Sequence, residues 1–157
     1  MTQEEYALAV EHLRARLYRT AFLYLGSEAL ALDAVDETVY KGLRGLRGLR
    51  QPEFFATWLT RILLNECHRE KKHQRRLEPL DTFDCPNADD LDALPLKEAI
   101  RRLPPELSQV VILRYFSGYT LAETARILDI PAGTAATRQR RALALLRLEL
   151  CEKEGDV

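Results

Sequence analysis

The sequence predicts an all-α protein of two small helical domains joined by a flexible acidic linker. Apolar residues recur at helical spacing along most of the chain, and no segment shows the alternation of a half-buried strand. A length of 157 residues suits one ordinary domain or two very small ones. The distribution of charge and proline along the chain favours two domains.

Charge divides the chain into three parts. Residues 1–76 carry a net charge of +3 and residues 99–157 one of +2, whereas residues 77–98 carry −6. The acidic part also contains three prolines, which is more typical of a linker than of a packed core. We therefore expect a first domain at 1–76, a linker at 77–95 and a second domain at 96–157.

The first domain is expected to begin with two helices. Gly26 can end the first helix and Ser27 can cap the second. The apolar stripe of the first helix comprises Val10, Leu13, Leu17, Ala21 and Leu25. The second is expected to bury Leu32, Val35, Val39, Leu43 and Leu46, and to expose Asp33, Asp36, Glu37 and Tyr40. Taken alone, such an acidic stripe is usually a solvated surface. The stretch GLRGLRGLR at 42–50 should then end or loosen the helix and leave a basic rim.

A third helix is expected to begin after Pro52 and to bury Phe55, Leu59 and Ile62. Another of its faces combines aromatic, amide and basic groups: Trp58, Arg61, Asn65, His68, Arg69 and Lys72. Aromatic rings stack on unpaired bases, amides read base edges and cations follow phosphates, so this face suits single-stranded nucleic acid. Considered by itself, Trp58 is more typical of a core residue.

Residues 120–142, TLAETARILDIPAGTAATRQRRA, predict two short helices joined by a tight turn. Thr120 can cap a helix over 121–128, Asp129 tolerates the turn, and Pro131 suits the start of the next helix. That helix is expected to bury Ala135, Ala142, Leu143 and Leu146 and to expose Thr134, Thr137, Arg138 and Arg141, with Arg140 beside them. This division is typical of a helix-turn-helix that reads duplex DNA. A plain helical hairpin with solvated arginines is the alternative.

Two segments together resemble a known family. FFATWLTRILLNECHRE resembles the promoter-melting part of region 2 of bacterial RNA polymerase sigma factors, and LRYFSGYTLAETARILDIPAGTAATRQRRALALLR resembles their region 4. With only these regions and a short linker, the chain is similar to the extracytoplasmic-function (ECF) subfamily over about residues 13–148. The resemblance implies a transcription initiation factor that binds core RNA polymerase and directs it to promoter DNA. It also implies an anti-sigma factor as a partner.

The resemblance implies roles for individual residues. The pattern that grips the clamp of the largest polymerase subunit matches Asp33, Asp36, Glu37 and Tyr40. Asn65 stands where the family receives a flipped base of the minus-ten element, with Arg61, Arg69 and Lys72 near phosphates. Recognition of the minus-thirty-five element points to Thr137, Arg138, Arg140 and Arg141. The apolar flank around Leu113, Tyr115 and Phe116 is expected near the flap of the second-largest subunit.

The chain departs from the family pattern at three positions. The family usually has Gln at the position of Asp36, a β-branched residue at that of Ala135 and a basic residue at that of Ala136. The clamp contact is therefore altered, and one base or phosphate contact is missing. The promoter sequence cannot be inferred from a relative.

Other function classes find little support. The chain contains no phosphate-binding loop, no dinucleotide fingerprint and no HExxH motif, so we expect no enzyme and no cofactor. Three cysteines, Cys67, Cys85 and Cys151, lack CxxC spacing, which indicates neither a metal site nor a disulfide framework. An acidic N-terminus and the lack of a membrane-spanning apolar run indicate a cytoplasmic protein without membrane insertion. A dimeric helix-turn-helix repressor and a helical protein-binding adaptor remain the alternatives.

Overall fold

The computed structural model describes residues 1–77 and 94–155. Within those ranges the regular structure is helical and contains no strand. The chain separates into two compact units, Met1–Thr82 and Phe83–Val157. The predicted all-α class with two helical domains is confirmed. The acidic linker expected at 77–95 falls almost entirely outside the described residues, as does Cys85.

Seven α-helices cover the described residues. Those of the first unit are α1 (Gln3–Leu25), α2 (Glu28–Arg44) and α3 (Phe55–Leu77), with short 3-10 turns at Leu46–Gly48 and Pro52–Phe54 between α2 and α3. Those of the second are α4 (Leu94–Arg102), α5 (Pro105–Val111), α6 (Leu121–Leu128) and α7 (Ala132–Gly155). Helix α5 continues directly into a π-helical turn at Ile112–Phe116.

Local capping fixes the ends of α1 and the start of α2. Thr2 and Glu5 satisfy each other's backbone N–H groups through their side chains, at 3.1 Å in both directions. Gly26 ends α1 in the left-handed region with a φ of 72°, and the Ser27 hydroxyl accepts from the Leu30 N–H at 3.3 Å. The predicted roles of Gly26 and Ser27 are confirmed.

Helices α1 and α3 supply most of the large core side chains of the first unit. On α1, Val10, Leu13, Leu17 and Ala21 are buried as predicted. On α3 the buried residues include Phe55, Leu59, Leu63, Leu64 and Cys67. Ile62, expected inside, is only half-buried, because the inner side of α3 is centred on Leu59 and Leu63, one turn apart.

The buried side of α2 differs from the predicted one. Leu32 and Leu43, expected to face inward, are 49% and 40% exposed. The residues that α2 buries are mostly smaller: Ala31, Ala34, Val35, Thr38 and Gly42. Small side chains let α2 approach its neighbours closely, so the side with the least bulk faces inward even though leucines stand elsewhere on the helix.

A side chain at Gly42 would collide with the core. A Cβ atom there would lie 2.5 Å from the Tyr6 hydroxyl oxygen and 2.7 Å from Leu59 Cδ1. The Tyr6 hydroxyl donates a hydrogen bond to the Val39 carbonyl oxygen at 2.5 Å, and burial raises the pKa of Tyr6 to about 12. Gly42 thus serves close packing within α2, and the expected end of the helix comes only at Gly45.

The predicted helix-turn-helix is confirmed in the second unit. The Thr120 hydroxyl accepts from the Glu123 N–H at 3.1 Å, and the Thr120 N–H donates to the Glu123 carboxylate at 2.9 Å. This capping box starts α6, whose bounds coincide with the predicted 121–128. Asp129 ends α6 in the left-handed region with a φ of 56°.

The inner side of α7 is largely as predicted. Ala135, Ala142 and Leu146 are buried, and they face the rest of the second unit. Leu143, expected with them, is 39% exposed. It follows Ala142 directly, and consecutive helical residues point about 100° apart, so both cannot face the core equally.

Candidate nucleic-acid and polymerase interfaces

One face of α3 carries a continuous row of exposed polar and basic side chains: Arg61, Asn65, Arg69 and Lys72. Their spacing of four, four and three residues keeps them on the same side of the helix. At about 1.5 Å of rise per residue, the row is roughly 16 Å long. We call it the α3 row. It places one amide between cations, which is the arrangement the sequence predicts for single-strand binding.

Trp58 lies at the N-terminal end of the α3 row and is half-buried. Its ring packs tilted against Phe55, with ring centroids 6.1 Å apart, and its Cζ2 atom lies 3.9 Å from where a Cβ of Gly45 would stand. The indole is therefore fixed by the core and still reaches the surface. The core interpretation of Trp58 is therefore partly met, and its role in binding stays a prediction.

Glu66 connects the α3 row to α2. Its carboxylate pairs with the Lys41 ammonium of α2 and lies 3.8 Å from an Arg69 guanidinium nitrogen. The Glu66 side chain is only 11% exposed, whereas that of Arg69 is 72% exposed. The carboxylate therefore lies behind the row and holds Arg69 from below.

His68 lies away from the exposed row, although its spacing places it near that face. Its ring packs edge-on against Tyr24 of α1, with centroids 5.5 Å apart, and it is half-buried. Burial, with the positive charges of Lys71 and Lys72, lowers the pKa of His68 below its ordinary value. The Lys71 ammonium lies 4.4 Å from the Tyr24 ring centroid. His68 thus belongs to the support of α3.

The outer face of α2 combines acidic and apolar groups. The residues predicted for polymerase contact, Asp33, Asp36, Glu37 and Tyr40, are all exposed. Leu32 and Leu43 join them, because positions 32, 36, 40 and 43 share one side of a helix. We call these six residues the α2 face. The sequence analysis placed Leu32 and Leu43 in the core, although their spacing from Asp36 and Tyr40 indicates the same exposed side of the helix.

Two contacts order the α2 face. Arg44 donates to the Tyr40 hydroxyl at 3.3 Å, and its guanidinium carbon lies 5.7 Å from the Tyr40 ring centroid. Asp36 lies 3.9 Å from an Arg14 nitrogen, an exposed pair that contributes little stability. Exposed leucines beside an aromatic ring and carboxylates are typical of a protein-binding surface.

On α7, four of the predicted DNA-binding residues line one groove. Thr134, Thr137, Arg138 and Arg141 share it with Gly133 and with Glu106 and Leu107 of α5. Arg140 lies on the flank and donates to the Thr137 hydroxyl at 3.4 Å, while that hydroxyl donates to the Gly133 carbonyl oxygen at 3.0 Å. We call this feature the α7 groove. It presents guanidinium groups and hydroxyls on one side of the recognition helix.

The expected flap-contact flank divides between core and surface. Leu113 is completely buried, Phe116 is half-buried and Tyr115 is 50% exposed. The Arg114 guanidinium carbon lies 5.7 Å from the Tyr115 ring centroid, and its Nη1 donates to the Tyr119 carbonyl oxygen at 3.4 Å. Of these three side chains, Tyr115 is the most exposed.

The family models for sigma-70 region 2 and sigma-70 region 4 match residues 9–77 and 93–146. The RNA polymerase sigma factor SigV of Bacillus subtilis is 30% identical over 142 residues, which cover 87% of this chain and 86% of that protein. The chain belongs to the sigma-70 family. The ECF RNA polymerase sigma factor SigM of Mycobacterium tuberculosis is 32% identical over 136 residues, covering 83% of this sigma factor and 69% of its own length. The chain is therefore a sigma factor of the ECF subfamily.

Two solved structures share this fold, one of them a sigma factor by name. RpoE from Bartonella quintana, in complex with the anti-sigma factor NepR, superposes with a TM-score of 0.82 at 22% identity, covering 94% of this chain and 97% of RpoE. CnrH, in complex with the cytosolic domain of CnrY, gives a TM-score of 0.78 at 21% identity, covering 96% and 90%.

Membership of the sigma-70 family establishes the class of function. This sigma factor is a transcription initiation factor that directs RNA polymerase to promoters, and sigma factors are not enzymes. The repressor and adaptor alternatives are not favoured. Among the described residues, no helix has the length and hydrophobicity needed to cross a membrane.

Proposed function

We propose that this sigma factor divides promoter recognition between its two units. The α3 row binds the melted strand of the minus-ten element, and the α7 groove reads the minus-thirty-five element as duplex. The observation that carries this proposal is the α3 row, because it exposes Asn65 between Arg61 and Arg69 with one turn of helix on either side. The proposed boundaries are 1–76 for the first domain, 77–95 for the linker and 96–157 for the second domain.

Strand capture follows from the chemistry of the α3 row. Extruding a base from the duplex costs a few kcal/mol, which contacts to the flipped base must offset. The Asn65 amide can donate and accept at a base edge, while Arg61, Arg69 and Lys72 neutralise neighbouring phosphates. Trp58, fixed against Phe55, offers an aromatic surface at one end of the row.

Duplex recognition follows from the α7 groove. Arg138 and Arg141 lie one turn apart and can each form a bidentate contact with guanine, while Thr134 and Thr137 contribute hydroxyls. Arg140 on the flank is placed to contact a phosphate. Base contacts supply sequence preference and phosphate contacts fix the register of the helix on DNA.

The α2 face is proposed to bind core polymerase. Its carboxylates favour a basic partner surface, and Leu32, Tyr40 and Leu43 provide exposed apolar area along it. We also infer that an anti-sigma factor is a partner. RpoE was solved in complex with the anti-sigma factor NepR, and CnrH in complex with the cytosolic domain of CnrY. The protein is proposed to act in the cytoplasm without a catalytic step of its own.

Binding to core polymerase, followed by transcription, tests this proposal. Glu37→Arg reverses a charge on the α2 face and should weaken affinity for core polymerase by about tenfold. Glu11→Arg is the matched control, because Glu11 is exposed on α1 and lies outside the α2 face. The measurement is titration of labelled core polymerase, with start sites then sequenced after transcription in vitro from a genomic fragment library. Equal affinities for the two variants would exclude the α2 face, and the absence of specific start sites would refute the proposed function.

A further inference from the structure

The α7 groove contains one acidic side chain among its basic ones. Glu106, in the first turn of α5, lines the groove together with Arg138 and Arg141 of α7. The helix-turn-helix motif begins at Thr120, well after Glu106 in the chain, so the sequence pattern gives Glu106 no role. Packing of α5 against α7 brings it to the recognition surface.

The position of Glu106 is fixed by its neighbours. Pro104 and Pro105 restrict the backbone at the start of α5. The next two residues, Leu107 and Ser108, are buried, and the Ser108 N–H donates to the Pro104 carbonyl oxygen at 3.0 Å. Glu106 itself is exposed. The backbone of Glu106 is thus fixed at the rim of the groove, where its side chain is exposed.

Glu106 lies apart from the arginines of the groove. In the parts of the chain that the structure describes, no ion pair within 4.0 Å joins Glu106 to Arg138 or Arg141. Gly133, Thr134 and Thr137 are small residues that leave space between the two sides. An exposed carboxylate that faces the proposed DNA-binding groove would act on bound DNA as well as on the protein.

A carboxylate accepts hydrogen bonds and cannot donate them. Opposite a phosphate or a base carbonyl it is repulsive, whereas opposite the amino group of cytosine or adenine it forms a favourable contact. We propose that Glu106 is a specificity-determining residue of the α7 groove. Its negative charge weakens binding to DNA in general, and this penalty is offset where the bound DNA presents a base amino group to the carboxylate. This inference rests on the proposed role of the groove in duplex recognition.

The test uses holoenzyme, reconstituted from full-length protein and core polymerase, and a pool of promoter duplexes randomised at the upstream element. Glu106→Ala and Glu106→Gln should both bind the unselected pool about two- to fivefold more tightly than wild type, since one exposed like-charge interaction is removed. Sequences selected by Glu106→Ala should lose their preference at one base pair. Glu11→Ala, with the same change of charge in the other unit, should match wild type in both measurements.

The outcomes separate this inference from the proposed function. Unchanged pool affinity and unchanged selected sequences for both Glu106 variants, each folded by circular dichroism, would overturn the role of Glu106. The double variant Arg138→Ala with Arg141→Ala is run on the same pool. If it selects the wild-type sequences, the groove is not the duplex interface and the proposed function fails at that point. If only the double variant loses selection, the groove stands and the Glu106 inference falls.

Discussion

Replacing Gly42 with alanine tests how closely α2 must approach the other helices of its unit. The added Cβ would lie 2.5 Å from the Tyr6 hydroxyl oxygen and 2.7 Å from Leu59 Cδ1, and both side chains are buried. Overpacking of this kind costs about 1–3 kcal/mol. The higher helix propensity of alanine recovers about 1 kcal/mol. Two contacts under 3.0 Å with buried side chains place the cost in the upper part of that range, about 2–3 kcal/mol. We therefore expect Gly42→Ala to lower the free energy of unfolding of the first unit by about 1–2 kcal/mol.

Trp58 makes this change measurable in the full-length chain. It is the only tryptophan in the sequence and lies in the first unit, so its fluorescence follows the unfolding of that unit. The midpoint of thermal unfolding should fall by about 4–8 °C per kcal/mol lost. Gly48→Ala is the control, because a Cβ there meets no atom within 4 Å, and it should stay within about 0.5 kcal/mol of wild type. A Gly42→Ala protein as stable as wild type would refute the packing argument.

Three further predictions concern the candidate interfaces and their support. Asn65→Ala should leave binding to closed promoter DNA nearly unchanged and reduce permanganate reactivity of melted thymines, because the amide acts after opening. Arg138→Ala with Arg141→Ala should weaken binding to the upstream element by at least about tenfold and spare binding to core polymerase. His68 has a lowered pKa, so the folded unit binds fewer protons than the unfolded chain as pH falls below 6.5. Acidification should therefore destabilise the first unit, as followed by Trp58 fluorescence, and less so in His68→Phe.

Each of these predictions has a contrary result. A wild-type permanganate pattern in Asn65→Ala would remove Asn65 from strand capture. Full upstream binding by the double arginine variant would move recognition away from the α7 groove. For His68, the same loss of stability with acid in His68→Phe as in wild type would assign the pH dependence to other groups.

Where the chain carries strong local signals, the sequence predicted the structure closely. Thr120, Asp129 and the helical spacing between them predicted the bounds of α6, because capping and a left-handed turn act within a few residues. The exposed residues of the α3 row were also predicted, since charged groups at helical spacing indicate a common face. His68 was the exception there, because its edge contact with Tyr24 depends on a helix distant in sequence.

The inner side of α2 could not be predicted from hydrophobicity alone. Leucine is more hydrophobic than alanine or glycine, so the sequence pattern predicted that Leu32 and Leu43 would be buried. The spacing of three packed helices reverses that order, because close backbone approach at Ala31 and Gly42 excludes larger side chains. Glu106 was missed for a similar reason: only the packing of α5 on α7 brings it beside Arg138.

The proposed contact of Arg69 with nucleic acid would draw its guanidinium away from Glu66, the carboxylate that lies behind the α3 row. A largely shielded acid that lost its sole counterion would be strongly destabilising. Glu66 also pairs with Lys41, which belongs to the helix of the proposed polymerase contact, so Lys41 would still neutralise Glu66 if Arg69 moved to a phosphate. Under this proposal Arg69 could exchange Glu66 for a phosphate without leaving an unpaired negative charge inside the first unit.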